Sequence, residues 1–130
     1  MRILIAEDDY ASRKSISRFL QKYGEVDITV DGMEAVKAYR YALEDEEYYD
    51  LVCLDIMMPQ LDGIKALQLI RGMEKEIGLP EERCAKVIMT TAINDAEQVH
   101  EAFNYGCEGY AAKPIDVEAF QKILEKMGLV

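Results

Sequence analysis

The sequence predicts an α/β protein built on a doubly wound, five-stranded parallel sheet, and three observations support this fold. Strand-like and helix-like segments alternate five times along the 130 residues, an arrangement that produces a parallel sheet with helices on both faces. The apolar run Leu51–Leu54 lacks polar alternation and therefore suits a strand buried on both faces. Polar residues follow the strands directly, where the crevice of such a sheet binds ligands.

Two strand–helix units are predicted before the central strand. Residues 2–6 form an apolar run, predicted to be a strand, and three acids follow it at 7–9. Residues 15–24 carry apolar side chains at helical spacing and end in a glycine, which predicts a helix. Residues 26–30 alternate apolar and polar side chains, which is typical of an edge strand with one exposed face. Asp31 can cap the next helix, which ends in a solvated acidic run at 44–47. The predicted buried helical residues are Ile16, Phe19, Leu20, Tyr23, Val36, Tyr39 and Leu43.

Three further units follow the central strand. After Leu51–Leu54 comes a turn at 58–63 and a third helix. A fourth strand at 86–89 precedes a fourth helix, and residues 109–112 are expected to form the strand at the other sheet edge. Lys113-Pro114 then breaks the chain before the last helix. The predicted buried residues of these helices are Ala66, Ile70, Met73, Ile77, Val99, Ala102, Phe103, Gly106, Phe120, Ile123, Leu124 and Met127.

Composition favours one globular domain over residues 1–130. Apolar residues make up 50% of the chain and charged residues 31%, without an apolar run near the roughly 20 residues of a membrane span. The first residues lack the apolar segment of a signal peptide, so we expect a cytoplasmic protein. The net charge of −10 repels phosphate backbones, which argues against direct nucleic-acid binding. Cys53, Cys84 and Cys107 are expected to be reduced thiols without a function.

Four of the five predicted strands end beside a polar side chain. Glu7 and Asp8 follow the first strand, Asp55 the third, Thr91 the fourth and Lys113 the fifth. In a strand order of 2-1-3-4-5 the first and third strands are neighbours, so three carboxylates would meet at the topological switch point. Such a cluster requires a cation, and oxygen ligands favour a hard ion such as Mg²⁺. Taken alone, the acidic run at 7–9 is equally typical of a helix N-terminus, with Asp9 as its cap.

The pattern of these residues resembles the receiver domain of two-component response regulators over the whole chain. The family's features match at five places in the right order. They are the acidic pair Glu7-Asp8, the phosphoacceptor Asp55 in D-I-M-M-P-Q-L-D-G, the hydroxyl of Thr91, the switch aromatic Tyr110 and Lys113-Pro114. The resemblance implies a flavodoxin-like three-layer sandwich with the strand order 2-1-3-4-5.

The same resemblance implies a chemical role for each position. Asp55 accepts a phosphoryl group from the phosphohistidine of a sensor kinase, and Asp8, Asp55 and the Met57 carbonyl hold Mg²⁺ beside Glu7. Thr91 and Lys113 bind the phosphoryl oxygens, and Tyr110 is the switch residue. The Lys113-Pro114 bond is expected to be cis, as in relatives. The side-chain chemistry agrees, since a carboxylate can act as the nucleophile while a hydroxyl and an ammonium stabilise the transferred group.

The resemblance implies a signalling protein and not an enzyme. Its partners would be a sensor histidine kinase or histidine phosphotransfer protein and a downstream protein target, with no membrane contact. The protein would be a monomer or a phosphorylation-dependent dimer. Because the chain ends at Val130, just after the last helix, no output domain is expected.

Two other functions on related folds are less consistent with the sequence. A Mg²⁺-dependent aspartyl-phosphate phosphatase of the haloacid dehalogenase kind needs an acid two residues after its nucleophile, where this chain has Met57. A flavodoxin-like cofactor carrier needs a Gly-, Ser- and Thr-rich first loop, and the acids at 7–9 would repel a flavin phosphate. His100 is a lone histidine and is expected to lie on a helix surface.

Two further features depart from the common receiver pattern. The segments 44–50 and 77–83 are longer than usual, the first by roughly three or four residues, and neutral drift is the favoured explanation because surface insertions are tolerated. Met57 and Ile93 stand two residues after Asp55 and Thr91. Neither side chain can orient a water molecule, so a long-lived aspartyl phosphate is predicted.

Overall fold

The protein folds around a single parallel β-sheet, which the computed structural model describes for residues 1–92 and 96–130. The strands are β1 (Arg2–Ala6), β2 (Glu25–Thr29), β3 (Leu51–Asp55), β4 (Lys86–Thr91) and β5 (Gly109–Ala112), in the order β2-β1-β3-β4-β5. The helices are α1 (Tyr10–Leu20), α2 (Gly32–Glu44), α3 (Gly63–Glu76), α4 (Ala96–Asn104) and α5 (Val117–Lys126), with a short 3-10 helix at Glu81–Arg83. The predicted fold class, strand order and edge strands are confirmed.

Two apolar layers cover the sheet, one on each face. One layer joins alternate sheet residues such as Val52 and Leu54 to α2, α3 and α4. The other joins Leu51 and Cys53 to α1 and α5. Because its residues alternate between the layers, β3 is fully buried, as its unbroken apolar sequence predicts.

Aspartate side chains specify where four of the helices begin. Each accepts a hydrogen bond from a backbone N–H in the first helical turn, which stabilises a helix by about 1 kcal/mol. The pairs are Asp9 with Ser12, Asp31 with Glu34, Asp62 with Lys65, and Asp116 with Glu118 and Ala119. The capping roles predicted for Asp9 and Asp31 are confirmed.

Several sequence-based expectations of burial are wrong in detail. Helix α1 begins at Tyr10 and ends at Leu20, so Tyr23 lies beyond the helix, although it still packs partly buried against the core. Ile28 belongs to the apolar face predicted for residues 26–30 but is 48% exposed, whereas Thr29 is buried and its hydroxyl donates to the Ile5 carbonyl at 2.8 Å. Ile77 is 55% exposed because α3 ends at Glu76 and the chain turns there. The Phe103 side chain is also exposed.

The two longer segments lie together at the amino ends of the strands, away from the acidic crevice. The Arg83 guanidinium lies 5.7 Å from the centre of the Tyr48 ring. Asp50 directly precedes β3, and its carbonyl accepts a hydrogen bond from Lys86 N at 2.9 Å. Both segments are therefore at the edge of the sheet opposite to the carboxyl ends.

Two properties of the chain bear on its environment. Among the described helices, none combines the length and apolar character needed to cross a bilayer. Cys53, Cys84 and Cys107 are all free thiols, as expected.

Candidate functional site

Three carboxylates meet at the carboxyl ends of β1 and β3. Glu7 and Asp8 follow β1, and Asp55 is the last residue of the neighbouring β3. One oxygen from each of these three residues lies within 4.8 Å of the others. Glu7 and Asp55 are buried, and Asp8 is exposed. The topology therefore brings Asp55 next to Glu7 and Asp8, which precede it by 48 and 47 positions in the sequence.

Lys113 joins two of these carboxylates. Its ammonium nitrogen donates to Asp55 Oδ2 at 2.9 Å and to Glu7 Oε2 at 2.9 Å. Although burial would lower the pKa of the Lys113 ammonium, its hydrogen bonds with Glu7 and Asp55 hold that pKa above the usual value. The Lys113-Pro114 peptide bond is cis, as predicted. Lys113 thus brings a fixed positive charge into direct contact with the candidate phosphoacceptor.

Asp55 is an unusual carboxyl group because it is only 3% exposed and close to another acid. Burial and the adjacent Glu7 carboxylate raise the pKa of Asp55 from 3.8 to about 6, although the Lys113 hydrogen bond opposes the shift. Near neutral pH the group is mostly ionised and can act as a nucleophile. Its second oxygen, Oδ1, accepts a hydrogen bond from Met57 N at 3.2 Å.

The donor set fits a divalent cation. Glu7 Oε1 is buried and lies 2.7 Å from Lys113 Nζ, but it has no hydrogen bond of good geometry among the described residues. The single Lys113 charge is shared by Glu7 and Asp55 and does not balance all three carboxylates, so the cluster keeps an excess of negative charge that a divalent cation can offset. Three carboxylates and few other donors match the oxygen preference of Mg²⁺. The Met57 carbonyl stays a predicted fourth ligand.

Two local features hold the acidic residues in place. The Arg13 guanidinium donates to the carbonyl oxygens of Glu7 (3.0 Å) and Asp8 (3.4 Å), which ties the loop after β1 to helix α1. Gly63, the first residue of α3, packs so closely on β3 that an added Cβ would lie 2.1 Å from the Asp55 carbonyl oxygen. A larger residue at position 63 would therefore push α3 away from the site.

Thr91 and Tyr110 lie on the neighbouring strands β4 and β5 and line one cavity. Thr91 is buried at the end of β4, and its hydroxyl lies 3.2 Å from the Ala92 carbonyl oxygen. Tyr110 is 48% exposed and packs edge-on against Phe103, with 6.2 Å between the ring centres. Thr91, Phe103 and Tyr110 line one cavity of about 300 Å³ between β4, β5 and α4. The structure therefore gives the hydroxyl and the aromatic side chain a shared space.

Sequence reasoning missed two residues of this region. Arg13 holds the acidic loop, and its spacing of six residues after Glu7 was the available signal. Thr90 is the register partner of Asp55, is 1% exposed, and has a hydroxyl without a hydrogen-bond partner in the described part of the chain. Two consecutive threonines in a buried strand were the signal there, since such strands are usually apolar.

The remaining candidates lie outside the carboxylate cluster. The Met57 side chain is 62% exposed and lines a cavity between α3 and α4. His100 lies on the exposed surface of α4, as expected. Ile93 lies outside the described residues.

Comparison with known proteins identifies the family. The family model "Response regulator receiver domain" matches residues 3–125. The chemotaxis protein CheY of Treponema pallidum is 33% identical over 131 residues, which cover 99% of this chain and 81% of that protein. A hybrid signal transduction histidine kinase of Dictyostelium discoideum is 31% identical over 98% of this chain, but the match spans only 7% of that much longer protein.

Two solved structures share the fold. One is CheY in the CheX–CheY–BeF3–Mg complex of Borrelia burgdorferi, with 27% identity, a TM-score of 0.81, and coverage of 98% of this chain and 89% of that one. The other is the complex between the histidine phosphotransfer protein Ypd1 and the receiver domain of Ssk1 from Saccharomyces cerevisiae. It shows 28% identity and a TM-score of 0.81, with coverage of 100% of this chain and 92% of that one. The chain therefore belongs to the response regulator receiver domain family of two-component signalling.

Proposed function

We propose that this protein is a phosphorylation-dependent signalling switch in which Asp55 accepts a phosphoryl group from the phosphohistidine of a donor protein. The observation that carries this proposal is the contact of the buried Asp55 carboxylate with Lys113 at 2.9 Å, inside a cluster of three acids. A strand-end carboxylate paired with a lysine and a metal-binding set suits phosphoryl transfer.

In this proposal Asp55 is the nucleophile. One of its carboxylate oxygens forms a bond with phosphorus while the nitrogen–phosphorus bond of the donor histidine breaks, and the imidazole leaves with the electron pair of that bond. Lys113 exchanges its contact with Asp55 for one with a phosphoryl oxygen, and the Thr91 hydroxyl binds another. Both contacts stabilise the negative charge of the transferred group.

A magnesium ion would be held by Glu7, Asp8, Asp55 and the Met57 carbonyl, with Asp8, Asp55 and Met57 as direct ligands. The ion supplies positive charge that offsets the repulsion between the acids and the incoming phosphoryl group. The related CheY from Borrelia burgdorferi was solved in a complex with BeF3 and Mg, which supports this assignment. Arg13 holds the loop that carries Glu7 and Asp8.

The signal would leave the protein through its surface at α4 and β5. When the Thr91 hydroxyl turns toward the phosphoryl group, the cavity beside it changes shape, and Tyr110 can move into the space. The exposed face around Tyr110 then differs between the two states and binds a downstream protein differently. Related receivers were solved with CheX and with a histidine phosphotransfer protein, which supports partners of these kinds for a cytoplasmic protein. Self-association on phosphorylation is a further route for the signal.

The test is labelling with a small phosphodonor. The parent protein should gain one phosphoryl group from acetyl phosphate in Mg²⁺ buffer, and Asp55→Asn should gain none while keeping its circular dichroism spectrum. Asp45→Asn, an exposed carboxylate after α2, is the matched control and should label like the parent. Undiminished Mg²⁺-dependent labelling of Asp55→Asn would show that Asp55 is not the phosphoacceptor.

The structure does not favour the phosphatase alternative. Met57 stands where such an enzyme needs a general acid, and its exposed thioether cannot donate a proton. Receiver domains act as signalling switches and not as classical enzymes.

A further inference from the structure

Helices α2 and α3 lie side by side on one face of the sheet and run in the same direction. Each connects two strands of the parallel sheet, so each begins at its carboxyl edge and ends at its amino edge. The Tyr39 hydroxyl of α2 donates to the buried Glu74 of α3, which holds the two helices together. Their outer surfaces therefore form one continuous face.

Each of the two helices carries a stripe of four exposed residues on its outer surface. The residues stand at positions i, i+4, i+7 and i+11, which share one side of a helix. The α2 stripe is Met33, Lys37, Arg40 and Glu44, and the α3 stripe is Lys65, Leu69, Gly72 and Glu76. Arg40, Glu44 and Glu76 line one cavity of about 300 Å³, so the two stripes adjoin. We call the two stripes together the α2–α3 face.

The middle of the α2–α3 face is apolar and open. Leu69 is 47% exposed, and Met73 lines the cavity between the helices. Gly72 stands within α3, where glycine destabilises a helix relative to alanine. No atom of the described residues would lie within 4 Å of a Cβ added at this glycine. Packing within the described part of the chain therefore does not require Gly72, whereas a helix of another molecule can approach closely at such a position.

The charges of the α2–α3 face follow the same order on both helices. Lys37 precedes Glu44 on α2, and Lys65 precedes Glu76 on α3. Because the helices run in the same direction, the lysines lie toward one end of the face and the acids toward the other. The face is therefore complementary to a copy of itself that is turned end for end.

Other charged residues at the two ends do not cancel this order. Lys75 lies in the last turn of α3, but three further acids at 45–47 extend the acidic end. Glu34 lies in the first turn of α2, and its carboxylate accepts a hydrogen bond from Val30 N at 3.2 Å.

We infer that the α2–α3 face binds a second copy of this chain and forms a symmetric dimer. A two-fold axis that lies across the helices places each helix antiparallel to the same helix of the second copy, with Leu69 and Gly72 near the axis. Lys65 then lies opposite Glu76 of the second copy, and Lys37 lies opposite Glu44. Symmetry produces each of these ion pairs twice.

Charge complementarity selects this occupant and its orientation. A symmetric dimer requires a surface that complements itself, and the α2–α3 face carries the cations and the acids that such a surface needs. Two copies with parallel helices would instead place lysine on lysine and acid on acid, which is unfavourable. The net charge of −10 on each copy opposes association without specific pairing, but screening limits it to a range of about 8 to 10 Å. The local ion pairs therefore decide which surfaces meet.

The test reverses the charges of one end at a time. The acid variant carries Lys37→Glu with Lys65→Glu, and the base variant carries Glu44→Lys with Glu76→Lys. The parent should sediment as a dimer at about 100 μM, within the range of weak specific interfaces. Each variant alone should dimerise at least about 10-fold more weakly, because like charges then face each other.

An equimolar mixture of the acid and base variants should restore the dimer, because their facing charges are again opposite. Its dissociation constant should lie within about fivefold of the parent value, and native mass spectrometry should show one copy of each variant. The controls make the same changes in net charge on α1 and α5, which cover the other face of the sheet. Lys14→Glu with Arg18→Glu, and Glu118→Lys with Glu125→Lys, should each dimerise like the parent.

Gly72→Gln separates a role in the interface from a role in the fold. Glutamine is the better helix former, so the variant should melt at a higher temperature than the parent when both are monomeric. Its side chain fills the space that the second copy approaches and should weaken the dimer at least about 10-fold. Asp55→Asn should dimerise like the parent, because the α2–α3 face does not contain the proposed phosphoacceptor. The inference and the proposed function therefore fail separately.

Several outcomes would overturn the inference. A parent that stays monomeric in sedimentation, with and without acetyl phosphate, would leave the α2–α3 face to a different protein. A mixture of the acid and base variants that associates no better than either variant alone would rule out the antiparallel charge pairing. Equal losses in the control variants would place the dimer contact elsewhere. A Gly72→Gln variant that dimerises like the parent would exclude close approach of the α3 helices.

Discussion

Asp55 is a buried carboxyl group whose surroundings disfavour its ionised form. Its carboxyl group is buried and shares the Lys113 ammonium with Glu7, so two acids compete for one cation. Burial raises its pKa from 3.8 to about 6. When the pKa of a carboxyl group is higher in the folded state than in the unfolded state, the protonated group contributes to the free energy of unfolding. That contribution is lost as the pH rises through the folded-state pKa.

Replacing Asp55 should therefore stabilise the metal-free protein near neutral pH. We expect Asp55→Asn to raise the free energy of unfolding by about 1 to 3 kcal/mol at pH 7.5, because an ionised buried acid is removed. The gain should shrink as the pH falls from about 6 toward 3.8, where the parent Asp55 is protonated in both states. Urea unfolding in EDTA measures it, with Asp45→Asn as the exposed control. A less stable Asp55→Asn at pH 7.5 would show that the Lys113 contact outweighs the cost of burial.

Magnesium should stabilise the folded protein through the carboxylate cluster. Saturating Mg²⁺ is expected to add about 1 to 3 kcal/mol, because the ion binds the assembled site and not the unfolded chain. Asp8→Ala removes the exposed carboxylate of the predicted metal site without disturbing the core and should lose most of this response, whereas Asp45→Asn should keep it. Thermal melting with and without Mg²⁺ provides the measurement. If the melting temperature of the parent does not respond, the three acids are not a metal site.

The apolar side chains of Met57 and Ile93 lead us to predict a long-lived phosphoryl group on Asp55. For Ile93, which lies outside the described residues, the prediction is based on the sequence alone. The exposed Met57 thioether offers no proton acceptor to an attacking water molecule. Met57→Asn with Ile93→Glu should shorten the lifetime of phosphorylated Asp55 about 10-fold or more, since a positioned polar group commonly contributes about 100-fold. The apolar replacement Met57→Leu should leave it unchanged. Decay after donor removal is the measurement, and loss from the parent within seconds would contradict the prediction.

At the scale of elements, a buried ionic network joins α2, α3 and the start of β4. Glu74 of α3 is 3% exposed, accepts a hydrogen bond from the Tyr39 hydroxyl, and lies 2.9 Å from the Arg71 guanidinium. Arg71 also donates to the carbonyls of Ala85 and Gly106 and to Glu108. Burial and the adjacent Glu74 raise the pKa of Tyr39, so its hydroxyl stays a donor.

Breaking this network should destabilise the protein far more than a surface change does. Arg71→Met leaves the Glu74 carboxylate buried without its cation and should lower the free energy of unfolding by about 3 kcal/mol. Glu76→Gln, at an exposed position of the same helix, should change it by less than about 0.5 kcal/mol. Chemical denaturation of the three proteins is the comparison. Similar stabilities for Arg71→Met and the parent would mean that the network contributes little.

At the scale of the whole molecule, β3 couples the two apolar layers. Leu51 and Cys53 pack in the layer with α1 and α5, whereas Val52 and Leu54 pack in the layer with α2, α3 and α4. If the helices of either layer unfolded, they would expose β3, which also packs against the helices of the other layer. The chain should therefore unfold as one cooperative unit.

This cooperativity can be tested with Leu54→Ala. The residue is fully buried, so we expect a loss of about 2 to 5 kcal/mol that shifts the far-UV and near-UV circular dichroism transitions together. Leu69→Ala removes a side chain that is 47% exposed and should shift neither transition much. Separate transitions in the Leu54 variant would show that one layer survives alone.

The sequence by itself determined the features that depend on local chemistry. Helical and strand periodicities established the order of the elements, because a side chain's direction follows from its position in a regular backbone. Asp9 and Asp31 could be recognised as caps because their hydrogen bonds reach only three residues along the chain. The strand order, with Glu7, Asp8, Asp55 and Lys113 at one sheet edge, followed from the alternation of strands and helices together with the family resemblance.

Only the tertiary structure decided the contacts between distant residues. Lys113 and Glu7 are 106 positions apart, and their 2.9 Å hydrogen bond depends on how β5 and β1 are placed in the sheet. Glu74 is an ordinary helical acid in the sequence, yet packing against Tyr39 and Arg71 buries it. The wrong expectations for Ile28 and Ile77 have the same origin, because periodicity shows which face is apolar but not whether another element covers it.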